Sequence, residues 1–153
     1  MLAEAVSLVR EAAETMFAGQ TDATVVKLVE LAAELRSVTA VVEAGAVVEA
    51  DARDLGKTRL HYGSTGDWVT HVGGLRKGEG KRIVRRAHAL TGPLAATRAA
   101  MAAGRVSPEQ ADVIVRSIDQ LPSGPAVRQR GEAVLVEHAG DFDATDLART
   151  GRH

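Results

Sequence analysis

Apolar residues recur at three- and four-residue spacing along nearly the whole chain, the period of a buried helix face, with no strand-like alternation. Leu2, Val6, Val9, Ala13 and Met16 form one such stripe and predict a first helix over 2–17, broken at Gly19 to Thr21. Asp22 then suits an N-cap, and a second helix is expected from about Ala23 to Leu55. Leu28, Leu31, Leu35, Val38 and Val42 give that helix a 3-4 repeat of the coiled-coil kind. A helix of that length spans about 50 Å. Gly45 is where it would bend or split, because a mid-helix glycine costs about 1 kcal/mol relative to alanine. The leucine stripe reads either as the core face of one long helix or as a dimerisation surface. Gly56 to Gly63 reads as a polar linker.

The stretch from Ser64 to Leu90 is the one the remainder is organised around. Ser64 and Thr65 offer N-cap hydroxyls, and Trp68, Val69 and Val72 follow at helical spacing. Gly73 and Gly74 predict a left-handed stop. A second helix is expected to start near Lys77 or Gly78 and to end at Leu90. At about 100° per residue, Lys81, Arg82, Arg85 and Arg86 fall on one arc of about 140°, and Ile83, Val84, Ala87 and Leu90 fall on the other side. A short helix, a tight turn and a basic second helix is the layout of a helix-turn-helix DNA reader. It is equally the layout of an ordinary helical hairpin with a solvated basic face.

Beyond Leu90, Thr91-Gly92-Pro93 closes one helix and opens a short alanine-rich one that Gly104 stops. Ser107-Pro108-Glu109-Gln110 is the clearest helix start in the chain: a capping serine, proline at the first helical position, and a glutamine completing a capping box. Ala111, Ile114, Val115, Ile118 and Leu121 line one face of that helix. Residues 126–138 predict another, with Val127, Val134 and Leu135 inward. Asp143 caps a last piece that gets about two turns before the chain ends, as expected of the front part of a longer protein. The whole reads as one all-α domain of about seven helices over 1–153. Its N-terminal helices occupy 1–55, and its helix-turn-helix-like core and C-terminal helices occupy 56–153.

Composition adds little to this, and charge adds more. The aromatic fraction is 3%, so the core must be built from Ala, Val, Leu and Ile. Cysteine is absent, which removes disulfides and thiolate metal sites. No signal peptide and no membrane-length apolar run is visible, so the expected compartment is the cytoplasm. The net charge of −1 hides an asymmetry: Arg53 to Arg105 hold eleven Lys plus Arg against three acids, while the segments before and after hold three against nine and five against eight. A basic middle between acidic ends suggests an anion-binding surface, usually for nucleic acid. The alternative is that the acidic flanks pack on the middle and neutralise it.

No catalytic constellation stands out. His61, His71, His88, His138 and His153 make no HExxH pattern, although His71 and His88 are spaced to meet across the hairpin. There is no GxSxG and no Walker A loop. Lys77-Gly78-Glu79-Gly80-Lys81 has the glycines of a phosphate-cradling helix start but follows no predicted strand.

The run AAGRVSPEQADVIVRSIDQLP, residues 102–122, resembles the signature of the actinobacterial 13E12 repeat family, also called domain of unknown function 222. The preceding DWV…GLRKGEGKRIVRRAHAL resembles that family too, and the likeness covers roughly residues 24–150. In that family an HNH nuclease module usually follows the domain. The resemblance therefore implies the all-helical N-terminal region of an HNH-endonuclease-type protein with a role in nucleic-acid handling. Family members often carry alanine where Gly80 stands, which implies a looser start for this basic helix. The chain contains no asparagine and no cysteine, so no HNH motif can be assembled in it. The expectation is a non-catalytic DNA-binding or targeting domain without cofactor or metal. Arg76, Lys77, Lys81, Arg82, Arg85 and Arg86 would meet the nucleic acid, and losing Arg82 and Arg86 together would weaken binding and spare the fold. The alternative is a protein-interaction or homodimerisation module that uses the 23–55 helix.

Overall fold

The computed structural model describes all 153 residues and contains nine helices and no strand, so the protein is all-α. They are α1 (Leu2–Ala13), α2 (Asp22–Ala52), α3 (Leu55–Thr58), α4 (Thr65–Val72), α5 (Glu79–Thr91), α6 (Ala95–Ala102), α7 (Pro108–Asp119), α8 (Pro125–Ala139) and α9 (Ala144–Thr150). None is long and apolar enough to cross a membrane. The chain divides into two compact units, Met1–Ala32 and Ala33–His153, with the division inside α2 rather than at the expected boundary near residue 55.

In the first unit, α1 ends four residues before the expected position, and it buries none of its residues. The stripe Leu2, Val6, Val9, Ala13 and Met16 is exposed throughout. The cap of α2 is Thr21 rather than Asp22: the Thr24 N–H donates to the Thr21 hydroxyl at 3.2 Å.

In the second unit, α2 runs unbroken through Gly45, whose side has open space. Its buried face is Ser37, Ala40, Ala44, Val47 and Ala50, a row of small residues. Leu35 and Val42 stay 43% and 46% exposed, so the leucine stripe is not this helix's core face.

Helix α7 is the centre of this unit. Ala111, Val113, Ile114, Val115 and Ile118 are all buried, and α5, α6, α8 and α9 all pack on it. Its start forms as the sequence predicts. The Ser107 hydroxyl accepts from the Gln110 N–H at 3.1 Å, and the Gln110 carbonyl accepts from the Ser107 N–H at 2.9 Å. The amide of Gln110 then donates to the carbonyls of Ala139 and Phe142, both at 2.7 Å, which ties the α8–α9 corner to α7. The N-cap of α6 is Leu94, which has no capping side chain, and the missing acceptor comes from Glu132 on α8. In α8 only Leu135 of the expected inward residues is buried; Val127 and Val134 remain exposed. The expected linker 56–63 contains the short helix α3, with Gly56 buried against Ser64 and Thr65.

Candidate nucleic-acid interface

The α4–α5 hairpin is built on two glycines. A Cβ on Gly80 would lie 1.9 Å from the Gly66 carbonyl oxygen and 2.3 Å from the Thr70 hydroxyl. A Cβ on Gly66 would lie 2.7 Å from Cγ of Lys81. Thr70 donates its hydroxyl to the Gly66 carbonyl at 2.8 Å and accepts from the Gly80 N–H at 2.9 Å. It thereby satisfies one of the free first-turn donors of α5, whose N-cap Gly78 has no side chain. The expected looseness at Gly80 is therefore corrected: this is the tightest helix contact in the hairpin. Ser64 caps α4 as predicted, accepting from the Asp67 N–H at 3.1 Å. The left-handed residue after α4 is Gly74 with φ 59°, while Gly73 is right-handed. Trp68 and Val69 are half-buried, and Val72 is exposed.

The six predicted cations have different fates. Arg76 and Lys77 lie exposed on the turn, and with Lys81 they have no acidic partner. Arg82 is half exposed, pairs with Glu79, and holds its Nε 3.6 Å from Asp112. Arg85 is equally exposed and pairs with Asp119. Arg86 does not belong to this face. It is 7% exposed, and its Nη1 donates to both oxygens of Asp112 at 3.1 Å. Its Nη2 lies 3.6 Å from Glu43 on α2. The angular position of Arg86, about 40° from Leu90 on the wheel, explains this: it is the cation nearest the apolar arc. Burial pushes the Asp112 carboxyl above its usual value, against the opposing pull of Arg86 and Arg82. The expectation that Arg82 and Arg86 can be removed together without harm to the fold is withdrawn, since one of them is a buried structural ion.

Acids of both flanks thus reach the basic middle: Glu43 and Asp51 from α2, Asp112 and Asp119 from α7. His88 contacts Asp51 at 2.6 Å, and Asp51 also accepts from the Thr65 hydroxyl at 2.6 Å; these hydrogen bonds, Thr65 first, hold its carboxyl below the usual value. His71 lies beside Tyr62, with ring centroids 5.6 Å apart and planes tilted by 42°, while His88 is engaged by Asp51.

What the sequence did not reveal is a second set of cations. Arg82, Arg116, Arg149 and Arg152 line one cleft of about 340 Å³ between α5, α7 and α9, together with the carboxylates Glu109 and Asp112 and with Thr145 on its wall. A groove of about 320 Å³ beside it is lined by Lys81, Arg82, Arg85 and Arg116. Arg82, Arg116 and Asp112 line both, so the two are continuous, with arginines outnumbering the carboxylates Glu109 and Asp112 along them. Arg116 and Arg152 have no acidic partner, and Arg149 pairs only with its own helix neighbour Asp146 at 3.2 Å. Of the four arginines of the cleft, the sequence singled out only Arg82; Arg116, four residues after Asp112 on a helix with a buried apolar face, was the remaining signal.

An all-helical unit with a glycine-locked hairpin and a cation-lined cleft is the class that the geometry defines. Residues 27–153 match the family model described as Domain of unknown function (DUF222), and the chain belongs to that family. No curated protein and no solved structure matches it.

Proposed function

We propose that the second unit binds nucleic acid through its phosphate backbone, as the targeting part of an HNH-nuclease-type protein and without cutting by itself. The observation that carries this reading is the convergence on one cleft of Arg82, Arg116 and Arg149 from three helices and of Arg152 from just beyond α9, continued by Lys81 and Arg85. Guanidinium groups are matched to phosphate by their paired donors. The carboxylates holding Arg85 and Arg149, Asp119 and Asp146, are exposed partners, and such pairs are worth about 0–1 kcal/mol, so phosphate can displace them; Arg82 is held more firmly, between Glu79 and the buried Asp112. In this reading the α4–α5 hairpin acts as a helix-turn-helix-like support that presents the α5 cations. Arg76 and Lys77 add charge at its turn, and Arg86 takes no part. Each cation at a phosphate adds about 0.9 to the slope of log affinity against log salt. Replacing Arg116 and Arg152 by glutamine is therefore expected to weaken duplex binding and flatten that slope by about 1.8, with the helical circular dichroism unchanged. Fluorescence anisotropy across a salt series measures it; an unchanged slope sinks the reading.

A second reading, self-association, is favoured by the exposure of Leu35 and Val42 on α2. Apolar residues at helical spacing are costly to leave in water. On this reading the wild type sediments as a dimer, and Leu35→Glu/Val42→Glu sediments as a monomer; a monomeric wild type at high concentration removes it.

A further inference from the structure

A cavity of about 290 Å³ opens between the end of α5, the start of α6, and helices α7 and α8. Most of its wall is apolar, formed by Ala89, Leu94, Val115, Ile118 and Pro125. Glu132 also lines it and is only 3% exposed. Oε1 of Glu132 accepts from the Thr97 N–H at 2.7 Å and from the Thr97 hydroxyl at 2.8 Å, which is how it caps α6. Its Oε2 accepts nothing from the protein. Glu132 lines this cavity, and Oε2 is its oxygen left free for a further donor.

Both donors to Glu132 are neutral, and no ion pair includes it. Arg128 lines the same cavity and keeps its charge, but its Nε and Nη2 donate to the carbonyls of Pro122 and Leu121 at 3.1 and 3.2 Å, and no ion pair joins it to Glu132. Asp119, the other carboxylate on the wall, is held by Arg85. A carboxylate this deeply buried normally has a cation beside it, because an unpaired buried charge is costly. The missing group is a positive donor that can reach Oε2 through an apolar space.

We propose that this cavity binds a small organic cation, an alkylammonium group on a short apolar stem. Its volume is at the low end of ligand pockets, about 300–1,000 Å³, and suits a stem of a few carbons. A neutral donor would leave the carboxylate charge unbalanced, and an anion would meet two carboxylates.

The test is a titration of the full chain with n-butylammonium, read by NMR from the amide resonances of Thr97 and Leu94. Saturable shifts are expected, with n-butanol at least tenfold weaker. Glu132→Gln keeps a carbonyl oxygen for the Thr97 cap but removes the charge, and is expected to weaken butylammonium binding at least tenfold. Should that variant fail to fold, Ala89→Leu, which fills the cavity from the opposite wall, is expected to give the same loss. Nα-acetyl-lysine methylamide separates a free amine from a lysine side chain as the source of the ammonium; tighter binding of either probe carries the site. Absence of any shift at tens of millimolar, equal binding of n-butanol, or undiminished binding in a folded Glu132→Gln chain overturns it.

Discussion

Gly80→Ala is expected to destabilise the second unit by about 3 kcal/mol or more, at the upper end of what overpacking costs. The added methyl has nowhere to go. It would lie 1.9 Å from the Gly66 carbonyl oxygen and 2.8 Å from the Thr70 nitrogen, both backbone atoms of α4, so the whole helix must move. That movement breaks the Thr70 hydroxyl's bond to the Gly80 N–H, which is the only side-chain acceptor at the start of α5. It also tilts the helix that carries Lys81, Arg82 and Arg85. The intrinsic preference of alanine for helix offsets only about 1 kcal/mol of this. Gly45→Ala is the control. It lies within α2 with nothing within 4 Å of the new methyl, so the same substitution there is expected to stabilise by about 1 kcal/mol. At roughly 2–4 °C per kcal/mol for a chain of this size, thermal melts should separate the two variants by about 8–16 °C, in opposite directions from the wild type. A Gly80→Ala chain that melts with the wild type would mean that α4 and α5 do not cross at these glycines.

The second large effect concerns Arg86 and Asp112. Removing one partner, as in Asp112→Leu, strands a buried charge and is expected to cost about 3–5 kcal/mol, while the double change Arg86→Met/Asp112→Leu is expected to be neutral or stabilising. That pattern separates a structural ion pair from a nucleic-acid contact, because a phosphate-binding arginine would cost affinity and not stability. The pH dependence has a definite sign. Burial raises the Asp112 carboxyl above its usual 3.8, so the folded state holds that proton more readily than the unfolded chain. The stability from this group is therefore fully present below 3.8 and is lost as pH rises through the raised value. The double variant lacks that dependence, so its advantage over the wild type is expected to narrow as pH falls towards the carboxyl range. Denaturant melts of the three variants over a pH series measure both effects. A double variant as unstable as the single one would show that the pair is held for more than charge balance.

Local chemistry was legible wherever the determining atoms lie within a few residues of each other. The Ser107–Gln110 box, the Ser64 and Asp143 caps and the left-handed stop at Gly104 are all formed as read, because each is a bond or a dihedral inside one turn. The all-helical class was legible for the same reason, since the 3.6-residue period is a property of the chain alone. Helix ends drifted where a neighbour hydroxyl competed, as at Thr21 and Asp22.

Burial was not legible, because a wheel shows which positions share an arc and not which arc meets a partner. On α2 the leucines appear the more buried set by hydropathy, yet Ala40, Ala44 and Val47 are buried while Leu35 and Val42 stay exposed. On α5, Arg86 shares an arc with Arg82 and Arg85, but it falls over Asp112, which lies 26 residues away in sequence. Arg82 was legible as a surface cation, but the cleft was not: Arg82, Arg116, Arg149 and Arg152 span seventy positions and meet only because α9 and α5 both pack on α7. The sequence alone determined an all-α chain, its turns, its caps and a surplus of positive charge in its middle. The tertiary structure decided which of those charges are spent on the fold and which face solvent, because that choice depends on carboxylates brought from distant segments.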